Sequence, residues 1–212
     1  MTQYPNYSDA ARAQEELAKK VVATDSFGSI RNVCGVDVAY SADVAYCSAV
    51  VVERSSGKVI ESVNALSAAK HPYVPGFLML READPVFQTL QLLKSRFDLL
   101  LVDGHGVLHP RRCGLACYVG LKLDKPTIGV AKSLLCGEVR EDGSVVLDNE
   151  IFGFAISLAG RKKLYVSIGH RISLETAVSV VKELGKGGVP LPLRLADSNS
   201  KTQKRGKGGS SA

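Results

Sequence analysis

Twice in this chain a lone acidic residue interrupts an apolar run: Asp37 within Val33-Cys34-Gly35-Val36-Asp37-Val38-Ala39, and Asp103 within Leu99-Leu100-Leu101-Val102-Asp103-Gly104-His105-Gly106. Both runs are short and rich in β-branched or leucine side chains, so they read as strands of a sheet covered on both faces rather than as amphipathic helices. A carboxylate in such surroundings is strongly unfavourable without a compensating cation. Two sheet carboxylates therefore converge on a common charge, and the simplest is a divalent metal, since hard cations such as magnesium prefer carboxylate oxygens and retain water for chemistry. The pattern points to a metal-dependent hydrolase of phosphate esters. Taken singly, either Asp also fits a turn former or a helix cap. Asp98 sits where a solvated strand start would place it, and Asp43, which repeats the Asp-Val-Ala-Tyr of Asp37 to Tyr40, falls at a hairpin turn.

The 212 residues suit one α/β domain over 1–200, followed by a basic tail rich in Gly and Ser, 201–212, that is expected to be disordered. No run approaches the length of a membrane span, and the amino terminus lacks the basic and apolar regions of a signal peptide. A soluble, cytoplasmic monomer is expected. Five cysteines include no CxxC pair and read as free, mostly packed thiols rather than a zinc site. The formal charge of +6 and pI near 9.1 favour an anionic partner. The basic residues cluster at Arg111-Arg112, at Arg161-Lys162-Lys163 and in the tail from Lys201 to Lys207.

Ser8 or Asp9 is placed to cap a first helix through Ala11, Leu17 and Val21. Three strand-like stretches follow, Arg31 to Tyr40, Val44 to Arg54 and Lys58 to Ala68, with Ser55-Ser56-Gly57 as a tight turn. Then come a helix from Pro85 to Phe97, a strand from Leu99 to Asp103, a helix from Gly114 to Leu123 and a strand from Thr127 to Ala131. A strand pair is expected at Glu138 to Val146 and Ile151 to Leu158, then a strand from Leu164 to Ile168 and a helix from Ser173 to Leu184. An antiparallel three-strand meander, then helices alternating with parallel strands, is the order of the ribonuclease H-like fold: an α/β central mixed sheet flanked by helices. In that fold the first and fourth strands are neighbours, which sets Asp37 beside Asp103.

Several stretches resemble the signature blocks of the endonuclease V family. They are Gly35 to Tyr40; Pro72-Tyr73-Val74-Pro75-Gly76-Phe77 on to Arg81-Glu82; Val102 to Gly106; His109-Pro110-Arg111; Gly129 to Ser133; and Tyr165 to Ala177. They fall in the family's order across nearly the whole chain. The resemblance implies a magnesium-dependent endonuclease, with manganese able to substitute, that recognises deaminated bases in DNA, chiefly hypoxanthine in deoxyinosine. It implies a cut at the second phosphodiester 3′ to the lesion, leaving a 3′-hydroxyl and a 5′-phosphate.

Carried over residue by residue, the resemblance implies that Asp37, Glu82 and Asp103 bind metal, and three acids suit one or two magnesium ions held against a phosphate. It implies that His170 lies near the metals, to orient the attacking water, bind the scissile phosphate or stabilise the leaving oxygen. Lys132, just after a strand, suits neutralisation of charge developing on a phosphoryl oxygen. Tyr73 matches the family's wedge, with Pro75, Gly76 and Arg81 in the same block, because a base must leave the stack to be inspected on all edges. Gly104, Gly106 and Gly137 would let backbone amides approach the O6 that separates hypoxanthine from adenine. His109 matches the family's His-Pro-Arg histidine, beside the base or a neighbouring phosphate. After Gly114-Leu115-Ala116 the family usually has a small residue and then histidine; here Cys117 and Tyr118 follow, and Tyr118 cannot titrate near neutrality. Inosine in single-stranded RNA is the alternative substrate. A noncatalytic inosine binder fits poorly, because clustered acids would only repel phosphates.

Overall fold

The computed structural model describes residues 6–160 and 162–207. The chain order is α1 (Tyr7–Ala18), β1 (Asn32–Ser41), β2 (Val44–Glu53), β3 (Val59–Ala68), α2 (Leu78–Leu90), β4 (Leu99–Asp103), α3 (Leu115–Leu123), β5 (Thr127–Ala131), β6 (Glu138–Val139), β7 (Ser144–Leu147), β8 (Glu150–Ile156), β9 (Leu164–His170), α4 (Leu174–Leu184) and α5 (Leu191–Lys207). Among the described residues the strands form one sheet in the order β3-β2-β1-β4-β5-β9-β8-β7-β6. The meander, the β1–β4 neighbourhood and the helices on both faces are those of the expected ribonuclease H-like arrangement.

β1 and β4 run parallel, with Val36 opposite Val102, and β4 and β5 run parallel, with Asp103 opposite Val130. β9 is antiparallel to β5, with Ala131 opposite Tyr165 and Thr127 opposite His170. Alternation of side chains along these strands feeds two cores. Cys34, Val36, Leu100 and Val102 pack with Met79, Ala83 and Val86 of α2 and Leu115 and Val119 of α3. Val33, Leu99, Leu101, Ile128 and Val130 pack with Val180 of α4 and Leu193 and Ala196 of α5 on the other face.

Four expectations need correction. The first helix is capped by Asn6, whose side chain accepts from the Asp9 N–H, two residues before Ser8 and three before Asp9. α2 begins at Leu78 and carries Pro85 in its interior rather than at its start. The proline leaves the Arg81 carbonyl without its helical donor, and Tyr40 Oη donates to that oxygen at 3.2 Å. The stretch Glu138 to Val146 is two strands joined by a turn at Gly143 rather than one. Beyond α4 no element is expected, yet α5 runs to Lys207, into the stretch expected to be disordered. Residues 208–212, like Arg161, lie outside the described residues. The α5 backbone lies directly on β1, because a Cβ on Gly35 would stand 2.4 Å from the Pro192 carbonyl carbon.

Candidate active site

Parallel β1, β4 and β5 all end at one edge of the sheet, and that edge carries Asp37, Asp103 and, just past β5, Lys132. Asp37 and Asp103 are each one residue past the Val36–Val102 pair, so they stand side by side. They share the strand parity of Val33, Leu99 and Leu101 and thus face α5. From α5 comes a third acid, Asp197, and single oxygens of Asp37, Asp103 and Asp197 lie within 4.8 Å of one another.

Polar partners fix each carboxylate. Ser200 Oγ, one helical turn beyond Asp197, donates to Asp37 Oδ2 at 2.7 Å. Lys132 Nζ donates to Asp103 Oδ2 and, at 3.1 Å, to Asp197 Oδ1. Lys201 Nζ donates to both Asp197 oxygens at 2.8 and 2.7 Å. Burial first, and Asp103 second, push the Asp37 carboxyl far above the usual carboxylate range, toward neutrality. Burial also works to raise Asp197, but bonds from Lys201 and Lys132 outweigh it and hold that carboxyl low. Burial works against the Lys132 ammonium, yet the charge of Asp103 and the bonds to Asp103 and Asp197 keep its pKa raised. Lys132 and Lys201 balance two of the three crowded carboxyls and Asp37 resists ionisation, so the donor set is one positive charge short when all three ionise. A hard divalent cation fits that set.

Glu82 projects from α2, outside the three-acid cluster, and burial together with the charges of Asp103 and Asp37 raises its pKa well above the ordinary value. It therefore lies within electrostatic reach of the cluster without being one of its close oxygens. His170 is not brought to the site. It pairs with Thr127 at the opposite end of β5 from Lys132. Its Nδ1 accepts from the Val22 N–H at 3.3 Å, its Nε2 lies 3.6 Å from Asp124, and burial lowers its pKa.

On the α2 and α3 face of the same edge is a cavity of about 220 Å³ whose lining includes Tyr73, Gly76, Leu78, His105, His109 and Leu115. Tyr73 stands at its mouth, 64% exposed. Below that ring the Gly76 carbonyl accepts from Gln14 Nε2 at 3.2 Å, His109 Nε2 at 3.0 Å and Arg111 Nη2 at 2.6 Å. Gln14 also accepts from Arg111 Nε and donates to the Cys113 carbonyl. A carbonyl can only accept, so His109 carries its proton on Nε2, while Nδ1 accepts from the Arg111 N–H. Burial and then the Arg111 charge lower its pKa to about 4. His109 is thus a neutral clamp on the loop beneath Tyr73, not a cationic phosphate ligand. His105 likewise holds the far wall, with Nε2 2.9 Å from the Ser133 carbonyl.

The remaining expected contacts divide. Pro75 lines the cavity with Gly76. Arg81 points away from it, donating to the His71 carbonyl at 2.7 Å and stacking 3.9 Å from the Tyr40 ring centroid. The amides expected to read O6 are already engaged: Gly104 N–H with the Val130 carbonyl and Gly106 N–H with Ser167 Oγ. Gly104 is instead suited by its backbone, with φ of +155°, since a Cβ there would make only ordinary contact with Leu78 and Leu115 at 3.4 and 3.7 Å. Gly137 stands apart, lining a recess with Glu138 and Val146. Tyr118 packs against Phe87, with ring centroids 6.2 Å apart, and is not part of the cavity lining.

Asp197 and Gln14 escape the sequence reading. Each leaves a trace there: Gln14 interrupts the apolar helical stripe of Ala10, Leu17 and Val21, and Asp197 follows Leu193, Leu195 and Ala196.

The family model for Endonuclease V matches residues 15–198. An endonuclease V of Thermofilum pendens is 45% identical over 205 residues, covering 93% of this chain and 88% of that protein. The crystal structure of an endonuclease V from Streptomyces avermitilis is similar with a TM-score of 0.89 at 32% identity, covering 99% and 98% of the two chains. The Ciona intestinalis endonuclease V, solved in complex with a 24mer DNA containing an inosine followed by a ribo-adenosine, is similar with a TM-score of 0.85 at 31% identity, covering 94% and 98%.

Proposed function

Because the chain belongs to the endonuclease V family, it is a DNA repair endonuclease acting on deaminated bases, and we propose that hypoxanthine is the base its cavity takes and magnesium, or manganese in its place, the ion its acids hold. The observation that carries this reading is the meeting of Asp37, Asp103 and Asp197 at a sheet edge shared with a cavity sized for a single base.

Asp37, Asp103 and Asp197 would hold the ion, with Glu82 within electrostatic reach of Asp103 and Asp37. The bound ion supplies Lewis-acid polarisation of a phosphoryl oxygen and activation of water. The protein's own groups do the rest. Lys132, drawn to the cluster by Asp103, is placed to neutralise charge developing on a non-bridging oxygen once the acids turn to the ion. Tyr73 fills the gap that an extruded base leaves in the stack, and the three donors on the Gly76 carbonyl keep its loop in place before the substrate arrives. The strand is cut at the second phosphodiester 3′ to the base, giving a 3′-hydroxyl and a 5′-phosphate. One chain supplies every group named, which supports a monomer. No helix among the described residues is long and apolar enough to cross a membrane. The cysteines Cys34, Cys47, Cys113, Cys117 and Cys136 are free thiols, in keeping with a reducing, cytoplasmic site of action.

The test is cleavage of end-labelled single- and double-stranded oligonucleotides, each with one deoxyinosine or inosine, in magnesium or chelator, with the cut mapped to the nucleotide. A magnesium-dependent nick one nucleotide beyond the lesion on its 3′ side is expected, and the preferred strand names the substrate. Binding of inosine strands without any cut would overturn the catalytic reading.

A further inference from the structure

A second recess opens at the same sheet edge, a cleft of about 690 Å³ lined by Lys132, Gly160, Lys162, Lys163, Leu164 and Val189. Its position follows from strand direction. β9 is antiparallel to β5, so the start of β9 lies where β1, β4 and β5 end. Along that edge the order is Asp37 at β1, Asp103 at β4, Lys132 just after β5, then Lys163 and Lys162 just before β9. The charge changes sign across it, from acids that suit a cation to lysines that suit anions. Lys162 and Lys163 are exposed, and among the described residues neither has an acidic partner.

The two recesses lie on opposite faces of the sheet. Leu78, Met79 and Leu115 of the base cavity belong to the core under α2 and α3, whereas Leu164 and Val189 of the cleft belong to the core under α4 and α5. The carboxylates face α5 at that edge, and Lys132, which lines the cleft, bonds to Asp103 and Asp197.

We propose that the cleft holds the substrate strand on the 3′ side of the scissile bond, with Lys162 and Lys163 on the phosphates that follow the cut and Leu164 and Val189 against a sugar or base. This rests on the reading that the damaged base occupies the other cavity. With the base on the α2 and α3 face and the cut 3′ to it, the strand passes the carboxylates and descends on the α4 and α5 face, where the unpaired lysines wait. The strand therefore turns over the sheet edge at the point of cleavage.

The test is kcat/KM on 5′-labelled single-stranded deoxyinosine DNA whose 3′ end is lengthened one nucleotide at a time beyond the cut, with a matching series lengthened on the 5′ side. The unaltered enzyme gains efficiency over the first few 3′ nucleotides. Lys162→Ala/Lys163→Ala loses that gain, so the ratio of parent to variant grows with 3′ length and stays constant along the 5′ series. The slope of log kcat/KM against log salt becomes shallower by about 1.4 on the long substrate, for two single-strand phosphates no longer neutralised, and Lys162→Arg/Lys163→Arg restores both. A parent-to-variant ratio independent of 3′ length, or one that grows along the 5′ series instead, overturns the proposal. If the unaltered enzyme shows no inosine-dependent cut on any substrate, the functional reading fails first and takes the proposal with it.

Discussion

Asp37 is held where its charged form is least welcome, 8% exposed and beside Asp103. Its raised folded pKa means that, without metal, the folded state holds a proton the unfolded state has released over the whole interval from the ordinary carboxylate range to neutrality. Stability therefore falls as pH rises through that interval, and the deficit is complete above it. Asp37→Asn should raise the melting temperature of the chelated protein by several degrees at neutral pH, through relief on the order of a few kcal/mol. That gain should shrink as pH is lowered toward the ordinary carboxylate range, and no gain at any pH would remove the crowding argument. In the unaltered protein, magnesium must displace the proton, so titration calorimetry below neutrality in buffers of different ionisation enthalpy should show proton release that Asp37→Asn abolishes. Asp197→Asn should lower magnesium affinity by more than the roughly 10–100-fold that loss of an outer partner costs; binding as tight as in the parent would show that α5 contributes no ligand. His170 makes a different prediction from the one its motif invites. Its ring is engaged by Val22 and Asp124 at the far end of β5, so His170→Gln should lower the melting temperature more than it slows a single turnover, and a hundredfold slower cut at unchanged melting temperature would return it to the chemistry.

At the scale of elements, α5 illustrates how a helix is aimed. Gly35 gives it a seat on β1, since a Cβ there would overlap Pro192 and Leu193 backbone at 2.4 and 2.5 Å. Gly35→Ala must push the helix outward, and with it Asp197 and Ser200. Cleavage should fall along with stability, and a variant with wild-type cleavage would mean that the helix has slack. A milder probe is Tyr40→Phe, which strands the Arg81 carbonyl freed by Pro85 and should cost about 1 kcal/mol in chemical denaturation. The strands were legible in the sequence because their apolar runs are short and bounded by turn residues; β1, β2, β3, β4 and β5 fall within a residue or two of the expected limits. The helices were less so. Pro85 reads as a first-turn residue because an interior proline is costly, and nothing local announces that a tyrosine some forty positions away covers the carbonyl it frees. α5 was invisible for a related reason: Pro190 and Pro192 mark its start as a loop and its far end is polar, while the force that makes it a helix is packing of Leu193 and Ala196 on a sheet formed earlier in the chain.

For the molecule as a whole, the acids that sequence exposed were those on strands, where an isolated carboxylate contradicts its surroundings. Asp197 contradicts nothing locally, and its role exists only because α5 lies over β1 and β4. Tyr73, Gly76 and His109 were found through their motif blocks, but the contact that unites them, the Gly76 carbonyl with its donor from Gln14, joins residues separated by most of the first third of the chain. Glu82 on α2 and Asp197 on α5 belong to helices on opposite faces of the sheet that carries the strand acids, and only Asp197 joins their cluster. That arrangement has a bearing on the order in which the protein is made. A chain emerging from the ribosome builds β1 and β4 early and can fold them as they appear, but it lacks Asp197 until α5 has been synthesised and docked on Gly35. A nascent or prematurely terminated chain carries two acids of the cluster, no seat for Lys132 beside Asp197 and no Ser200 to steady Asp37. On the proposed reading cleavage therefore waits on α5, and a chain ending before Leu191 is expected to show no inosine-dependent cut.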